Sequence, residues 1–227
     1  MTFASTWPCP DATGAVTPEY AVRFYKNRKA CLLVIPPLFD EANKLRHLLV
    51  CVMRLLDRSG VDSVLPDLPG MNESAQPLEH QTLAHWRTCA KSAAVHFGAT
   101  HVLAVRSSAI LAPPDYPGWR YAPVPAASAL RTMLRARVLV SREAGREETQ
   151  SMLSETGRAE GLEAIGYRIG SQMFAELEAA RLPDSGRLID IDQQTVGGSG
   201  LWLRAEPDHD PAQAETLAAI LAVGMAQ

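Results

Sequence analysis

Directly after the apolar run His101–Val105 the chain reads Arg106-Ser107-Ser108-Ala109. A serine at a sharp strand-to-helix crossing is where acyl transfer places its nucleophile, and the chemistry then needs a carboxylate and a histidine, in the chain order Ser, acid, His. Ser107 or Ser108, then Asp190 or Asp192, then His209 in "PDHDP" satisfy that order, and Ser107, Asp192 and His209 make the preferred triad. The alternative for His209, and the commoner case for such a sequence, is an exposed residue at the start of a helix. The crossing itself offers a steric test, because residues two before and two after its apex must be small where the backbones nearly touch. Centred on Ser107, the flanking residues are Val105 and Ala109, and a β-branched valine fits badly. Centred on Arg106, they are Ala104 and Ser108, both small. The pattern therefore puts Arg106 at the apex. Arginine is permanently charged and has no lone pair to offer as an acyl nucleophile. Over a helix N-terminus its guanidinium would attract a carboxylate or phosphate. Alternatively it pairs with a buried acid such as Asp67 or Glu41, since a buried arginine nearly requires a partner.

A second polar group comes after the run "CLLVIPP": Asp40, Glu41, Asn43, Lys44 and Arg46. If both groups stand at the C-terminal ends of parallel strands, where such folds collect ligands, they frame a polar pocket. Arg106, Glu41, Asn43, Lys44, Arg46 and Ser107 are then the candidate ligand-binding residues, and an ion pair from Glu41 to Arg106 is expected across the strand ends. His47, His80, His85, His96 and His101 do not recur at ligand spacing, so no metal site is expected. The stretch "GGSG" before Leu201 lacks a phosphate-loop lysine and reads as a flexible turn. Nothing calls for a cofactor.

The elements that must position these residues can be read from hydrophobic periodicity. "YAVRFY" alternates, and the apolar run "ACLLVIPPLF" reads as a central strand. From Asn43, Leu45, Leu48, Leu49, Val52, Met53, Leu55 and Leu56 recur at helical spacing until Gly60. "VDSVLPDL" is the next strand, a helix runs from Gln81 to Phe97, and "HVLAVR" is the strand that leads to Arg106. A strand "RYAPVP", a long helical zone Ala126–Glu155, an extended "GLEAIGYRIG" and a helix capped by Ser171 come next. "GRLIDID" and "GLWLRAE" are expected as late strands, and Asp210 with Pro211 caps a closing helix to Met225. Residues 1–18 are expected to be irregular. The alternation predicts a mostly parallel sheet with helices on both faces in a single domain over 1–227.

The 227 residues suffice for one sizeable core. Apolar residues make up 47% and charged residues 21%, the ordinary globular range. A net charge of -3 argues against nucleic acid as a partner. The arginines of "LRTMLRARVLVSREAGREE" interleave with Glu143, Glu147 and Glu148 and read as a solvated face. The start "MTFASTWPCPDATG" shows no signal peptide, no apolar run reaches the roughly 18–20 residues of a membrane span, and Cys9, Cys31, Cys51 and Cys89 show no C-x-x-C. Free thiols in the cytoplasm are the expectation.

Several stretches resemble the α/β-hydrolases. "LPDLPGMNES" resembles the D-x-x-G-x-G-x-S segment found after the fourth strand of that superfamily, with Asn72 in place of the second glycine. "IPPLFDEANKLRH" resembles the P-P-F-x-E-E-x-N-K-x-R segment of the exosortase A system-associated hydrolases of the second type. "LRTMLRARVLV" and "IGYRIGSQMFAELEAARL" resemble that family's helix and its A-G-Y-x-L-x-x-x-L segment, and "LWLRAE" keeps Trp202 and Glu206 at the spacing of F-W-x-x-x-E. The family commonly reads G-L-R-x-G at the crossing, with arginine in the serine's place. The resemblance spans roughly residues 20–222 and implies an α/β-hydrolase fold. About 60 residues separate Ala126 from Ser185 and must supply core helices, so no large cap domain is expected. It also implies a protein of an exosortase or exopolysaccharide system. With a degenerate crossing, such a protein binds a small molecule, an anion among the candidates, or serves as an accessory. The alternative is a serine esterase or thioesterase acting on a small acyl ester.

Overall fold

The computed structural model describes residues 2–184 and 186–226. The chain opens with a long antiparallel hairpin, β1 (Thr2–Pro10) and β2 (Val16–Phe24). This corrects the expectation of an irregular N-terminal segment. Trp7 and Cys9 alternate with exposed or half-exposed neighbours and are both buried, the period-two signature of a strand. Pro8 and Pro10 do not prevent it, because β1 is an edge strand with one side free of pairing.

The order continues with β3 (Cys31–Ile35), α1 (Asp40–Arg58), β4 (Asp62–Pro66), α2 (Leu83–His96), β5 (His101–Val105) and β6 (Gly118–Tyr121). Then come α3 (Ala126–Glu143), α4 (Gln150–Glu160), the small hairpin β7 (Leu162–Ala164) and β8 (Tyr167–Ile169), α5 (Ser171–Ala179), β9 (Leu188–Ile191), the short α6 (Gln193–Val196) and α7 (Pro211–Met225). The seven-stranded sheet has the order β1-β2-β4-β3-β5-β6-β9. From β4 to β9 all neighbours are parallel. The runs "CLLVI" and "HVLAV" pair side by side, Leu32 with His101 through Ile35 with Ala104.

Successive residues of β3 feed opposite faces. Leu33 and Ile35 join a core with α2, α3 and α5, whereas Leu32 and Val34 join one with α1 and α7. The helices α3, α4 and α5 contribute Leu130, Met133, Leu153, Met173 and Phe174 to the first core, so the segment after Ala126 builds the body of the molecule and not a separate cap. Among the described residues no helix is long and apolar enough to cross a membrane.

Local chemistry moves several boundaries. The helical zone after Ala126 breaks at Ala144-Gly145, where Gly145 takes φ 72°. The strand expected from Arg120 to Pro125 begins and ends earlier. It starts at Gly118, where φ is 153° and a Cβ would stand 1.9 Å from the Val102 carbonyl oxygen. It ends at Tyr121, because Ala122 turns to φ 43° and the prolines at 123 and 125 cannot donate to a ladder. "GLWLRAE" is not a strand: Leu201–Leu203 form a single 3-10 turn, with Leu201 buried and Trp202 half-buried. Ser171 is the first residue of α5 and its side chain does not cap it. Asp210 does cap α7, accepting from Ala212 and Gln213 N–H with Pro211 in the first turn.

Candidate functional site

The parallel strands β3, β4 and β5 end side by side, and the segments leaving their C-terminal ends meet above the sheet. After β5 the backbone turns sharply at Arg106, which has φ 58°, and enters the short helix Arg106–Leu111. Arg106 is therefore the apex, as the small flanking residues Ala104 and Ser108 require. A non-glycine residue held there costs about 1–3 kcal/mol and persists only where its surroundings over-determine it. Ser108 supplies much of that constraint. Its buried Oγ accepts from Val105 N–H at 3.0 Å and faces the carbonyl oxygens of Ile35 (3.0 Å) and Val105 (2.9 Å) with its own hydrogen. The hydroxyl ties the turn to the end of β3, a task no glycine could perform.

The Arg106 guanidinium reaches Glu41, in the first turn of α1. Nε donates to Oε2 and Nη2 to Oε1, both at 3.1 Å, which is the two-pronged geometry arginine forms with a carboxylate. Nη1 donates to the Ala122 carbonyl oxygen at 3.1 Å. Trp202 covers the plane, with the guanidinium carbon 3.9 Å from its ring centroid. The two partners keep 12% and 16% of their side-chain surface. Arg106 is thus satisfied by the protein itself, and an incoming anion would have to displace Glu41.

Asp67, after β4, has a fully buried side chain. Its Oδ1 accepts from Arg46 Nη1 at 2.8 Å and from Asn72 Nδ2 at 2.9 Å. Of the two acids that could have partnered Arg106, the structure selects Glu41 and gives Asp67 to Arg46. Asn72, in place of a glycine, takes φ 49°, a conformation asparagine tolerates better than most side chains. The backbone requirement of the motif survives the change, and the amide gains a partner in Asp67.

A cleft of about 530 Å³ lies beside this network, lined by Asp40, Asn43, Arg46, Asn72, Glu73 and the hairpin tip Ile165–Tyr167. The expected pocket between the α1 loop and the crossing is corrected: the cleft takes in Asn43 and Arg46, but Arg106, Glu41, Lys44 and Ser107 do not line it. Lys44 pairs with Asp40 one turn back at 2.7 Å. Asn43 Nδ2 donates to the Tyr167 hydroxyl at 3.3 Å, and the Tyr167 ring meets Phe39 edge-on. Burial, and secondarily the charge of Asp40, holds the Tyr167 phenol proton more tightly than usual. The tip strains Ile165, which takes φ 46° beside Gly166 at φ 83°, a value glycine adopts freely, between paired Ala164 and Tyr167.

The serine triad is not joined by hydrogen bonds. Ser107 is completely buried and its Oγ has no partner. Asp192 is exposed at the start of α6, and the other candidate acid, Asp190, is held by Arg120 at 2.5 and 2.9 Å. His209 lies against His47 of α1, the rings tilted by 32° with centroids 4.3 Å apart. His47 and Cys51 stand four residues apart on α1 and meet His209 there, a grouping the spacing of histidines alone could not reveal. Tyr167 and Trp202 are marked in the sequence only through the resemblance.

No protein-family model matches the chain, and no curated protein matches it in sequence. Solved structures do. Est1E from Butyrivibrio proteoclasticus with ferulic acid bound superposes with a TM-score of 0.56 at 14% identity, over 96% of this chain and 97% of that one. A hypothetical protein from Pseudomonas aeruginosa gives 0.52 at 8% identity, over 84% and 77%. The fold is that of the α/β-hydrolases. Arg106 stands in this chain at the sharp turn from β5 into the following short helix.

Proposed function

We propose that the chain is an α/β-hydrolase-fold protein without serine hydrolase chemistry, a small-molecule-binding or accessory member of an exosortase or exopolysaccharide system. One observation carries the reading: the apex side chain is an arginine locked by Glu41, the Ala122 carbonyl and Trp202. The adjacent Ser107 supports it, because a hydroxyl with no exposed surface and no histidine to accept its proton is neither reachable nor activated. The ligand this reading favours is a small polar molecule. The cleft beside Asp67 mixes the carboxylates of Asp40 and Glu73 with the amides of Asn43 and Asn72, the Arg46 guanidinium and an aromatic wall, so its lining does not select for anions alone. The exosortase association rests on the resemblance of the segments around Glu41 and Trp202. A cytoplasmic location is supported by four cysteines that are all free thiols.

The test is labelling with a fluorophosphonate probe, alongside an active serine hydrolase as control. The expected outcome is no covalent adduct on the native chain. Stoichiometric labelling that disappears in Ser107→Ala and survives in Arg106→Ala would establish the esterase or thioesterase reading, through Ser107, Asp192 and His209, in its place.

A further inference from the structure

We propose that His47, Cys51 and His209 form a binding site for a single borderline-soft divalent cation, with Zn²⁺ the best chemical match. His47 and Cys51 are separated by one helical turn on α1, so their side chains rise from the same face. His209 arrives from the far end of the chain, in the segment that leads into α7. Its backbone N–H donates to Asp208 Oδ1 at 2.8 Å, and the Asp210 cap fixes the start of the helix one residue later. Three donor atoms, one from each residue, all lie within 4.8 Å of one another. Ligand atoms around a tetrahedral zinc stand roughly 3.3–3.7 Å apart, given bonds of about 2.0–2.3 Å. The largest separation therefore closes by about an ångström, within the range of a side-chain rotation. Both histidines are exposed and Cys51 is half-buried, so the rings are free to turn and a cation has access from solvent.

The donor set decides the class of ion. Two imidazoles and a thiolate suit Zn²⁺ and its borderline neighbours, whereas Mg²⁺ and Ca²⁺ demand oxygen. Three protein ligands leave a fourth position for water or another small ligand. The geometry has a consequence for the crossing. The segment Leu201–Asp210 carries Trp202 over Arg106 at one end and His209 at the other, so a cation held by His209 pins to α1 the same segment that covers the arginine. The site places His209 against α1, which is compatible with Arg106 at the apex but not with the esterase reading, since that reading needs His209 at Ser107.

The experiment uses the full chain, freed of metal by dialysis against a chelator. Zn²⁺ alone is titrated calorimetrically, and Co²⁺ is added separately to read the thiolate-to-metal charge-transfer band. The expected result is one Zn²⁺ per chain, a Co²⁺ spectrum with sulfur and nitrogen ligation, a raised melting temperature with Zn²⁺, and no response to Mg²⁺. His209→Gln, His47→Gln and Cys51→Ser should each weaken Zn²⁺ binding at least as much as loss of an outer-shell partner, roughly 10- to 100-fold. Cys51→Ser should also abolish the charge-transfer band. His80→Gln, outside the cluster, should change nothing. All three positions are at or near the surface, and unaltered melting without metal will show that the variants fold. Absence of stoichiometric binding to the native chain, or binding that persists in both His209→Gln and Cys51→Ser, would overturn the assignment.

Discussion

Arg106 and Glu41 meet side-on, two hydrogen bonds of 3.1 Å joining the guanidinium at the end of β5 to a carboxylate in the first turn of α1. The bond ties together the loops that leave two neighbouring parallel strands. Removing the carboxylate leaves a nearly buried positive charge facing only the Trp202 ring and one carbonyl oxygen. We expect Glu41→Ala to destabilise the fold by about 2 kcal/mol, below the 3–5 kcal/mol of a fully buried pair because both side chains keep some contact with solvent. The double variant with Arg106→Leu should recover much of that loss, since it leaves no orphaned charge. Thermal melts of the two single variants and the double decide it, and simple additivity would show that the pair is not coupled.

Neighbouring serines should respond in opposite ways. Ser108 Oγ satisfies the Val105 N–H and faces two carbonyl oxygens, so Ser108→Ala orphans buried polar groups and should cost about 1–3 kcal/mol. Ser107 Oγ is buried with no partner, and Ser107→Ala should be neutral or slightly stabilising. Urea midpoints for the two variants separate these outcomes. A large loss in Ser107→Ala would mean that its hydroxyl makes a bond the structure does not contain.

The tip of the β7–β8 hairpin holds Ile165 at φ 46°. A two-residue turn with both φ values positive favours Asn-Gly over a β-branched residue. Ile165→Asn should therefore stabilise the protein by about 1 kcal/mol, seen as a higher melting temperature. A drop would show that the isoleucine side chain makes packing contacts worth more than the strain.

Acid should loosen the contact between α3 and the loop before α4. Arg137 donates to Glu148 through Nη2 at 2.7 Å and Nε at 3.1 Å. This hydrogen bonding, with that from Ser141 second, pulls the Glu148 carboxyl from 4.5 down to about 2. A carboxyl whose folded value is depressed stabilises the fold at pH above its unfolded value, and that contribution fades as pH falls through the folded one. The melting temperature of Glu148→Gln should lie below that of the native chain at pH 6, and the gap should narrow below pH 4.5 and close towards pH 2. A gap that stays constant with pH would rule out the ionised pair as its source.

The sheet-and-helix alternation and the apex at Arg106 were legible in the amino-acid sequence alone. Each of these rests on a local constraint: the period of apolar residues, or the need for small residues at Ala104 and Ser108 where backbones crowd. Asp210 was legible as a cap for the same reason, because it acts on N–H groups two and three residues away. Residues 1–18 and "GLWLRAE" show the limit of local reading. Trp7 and Cys9 are strand residues because β2 lies alongside them, and Leu201–Leu203 form a 3-10 turn with Trp202 over the Arg106 guanidinium. Which acid neutralises Arg106 was set by packing. Asp67 and Glu41 both come after parallel strands and both carry the required charge, and the choice depends on where the first turn of α1 lies relative to the end of β5. The same holds for His47, Cys51 and His209: a helical turn brings the first two together, but the third is placed only by the packing of α7 against α1.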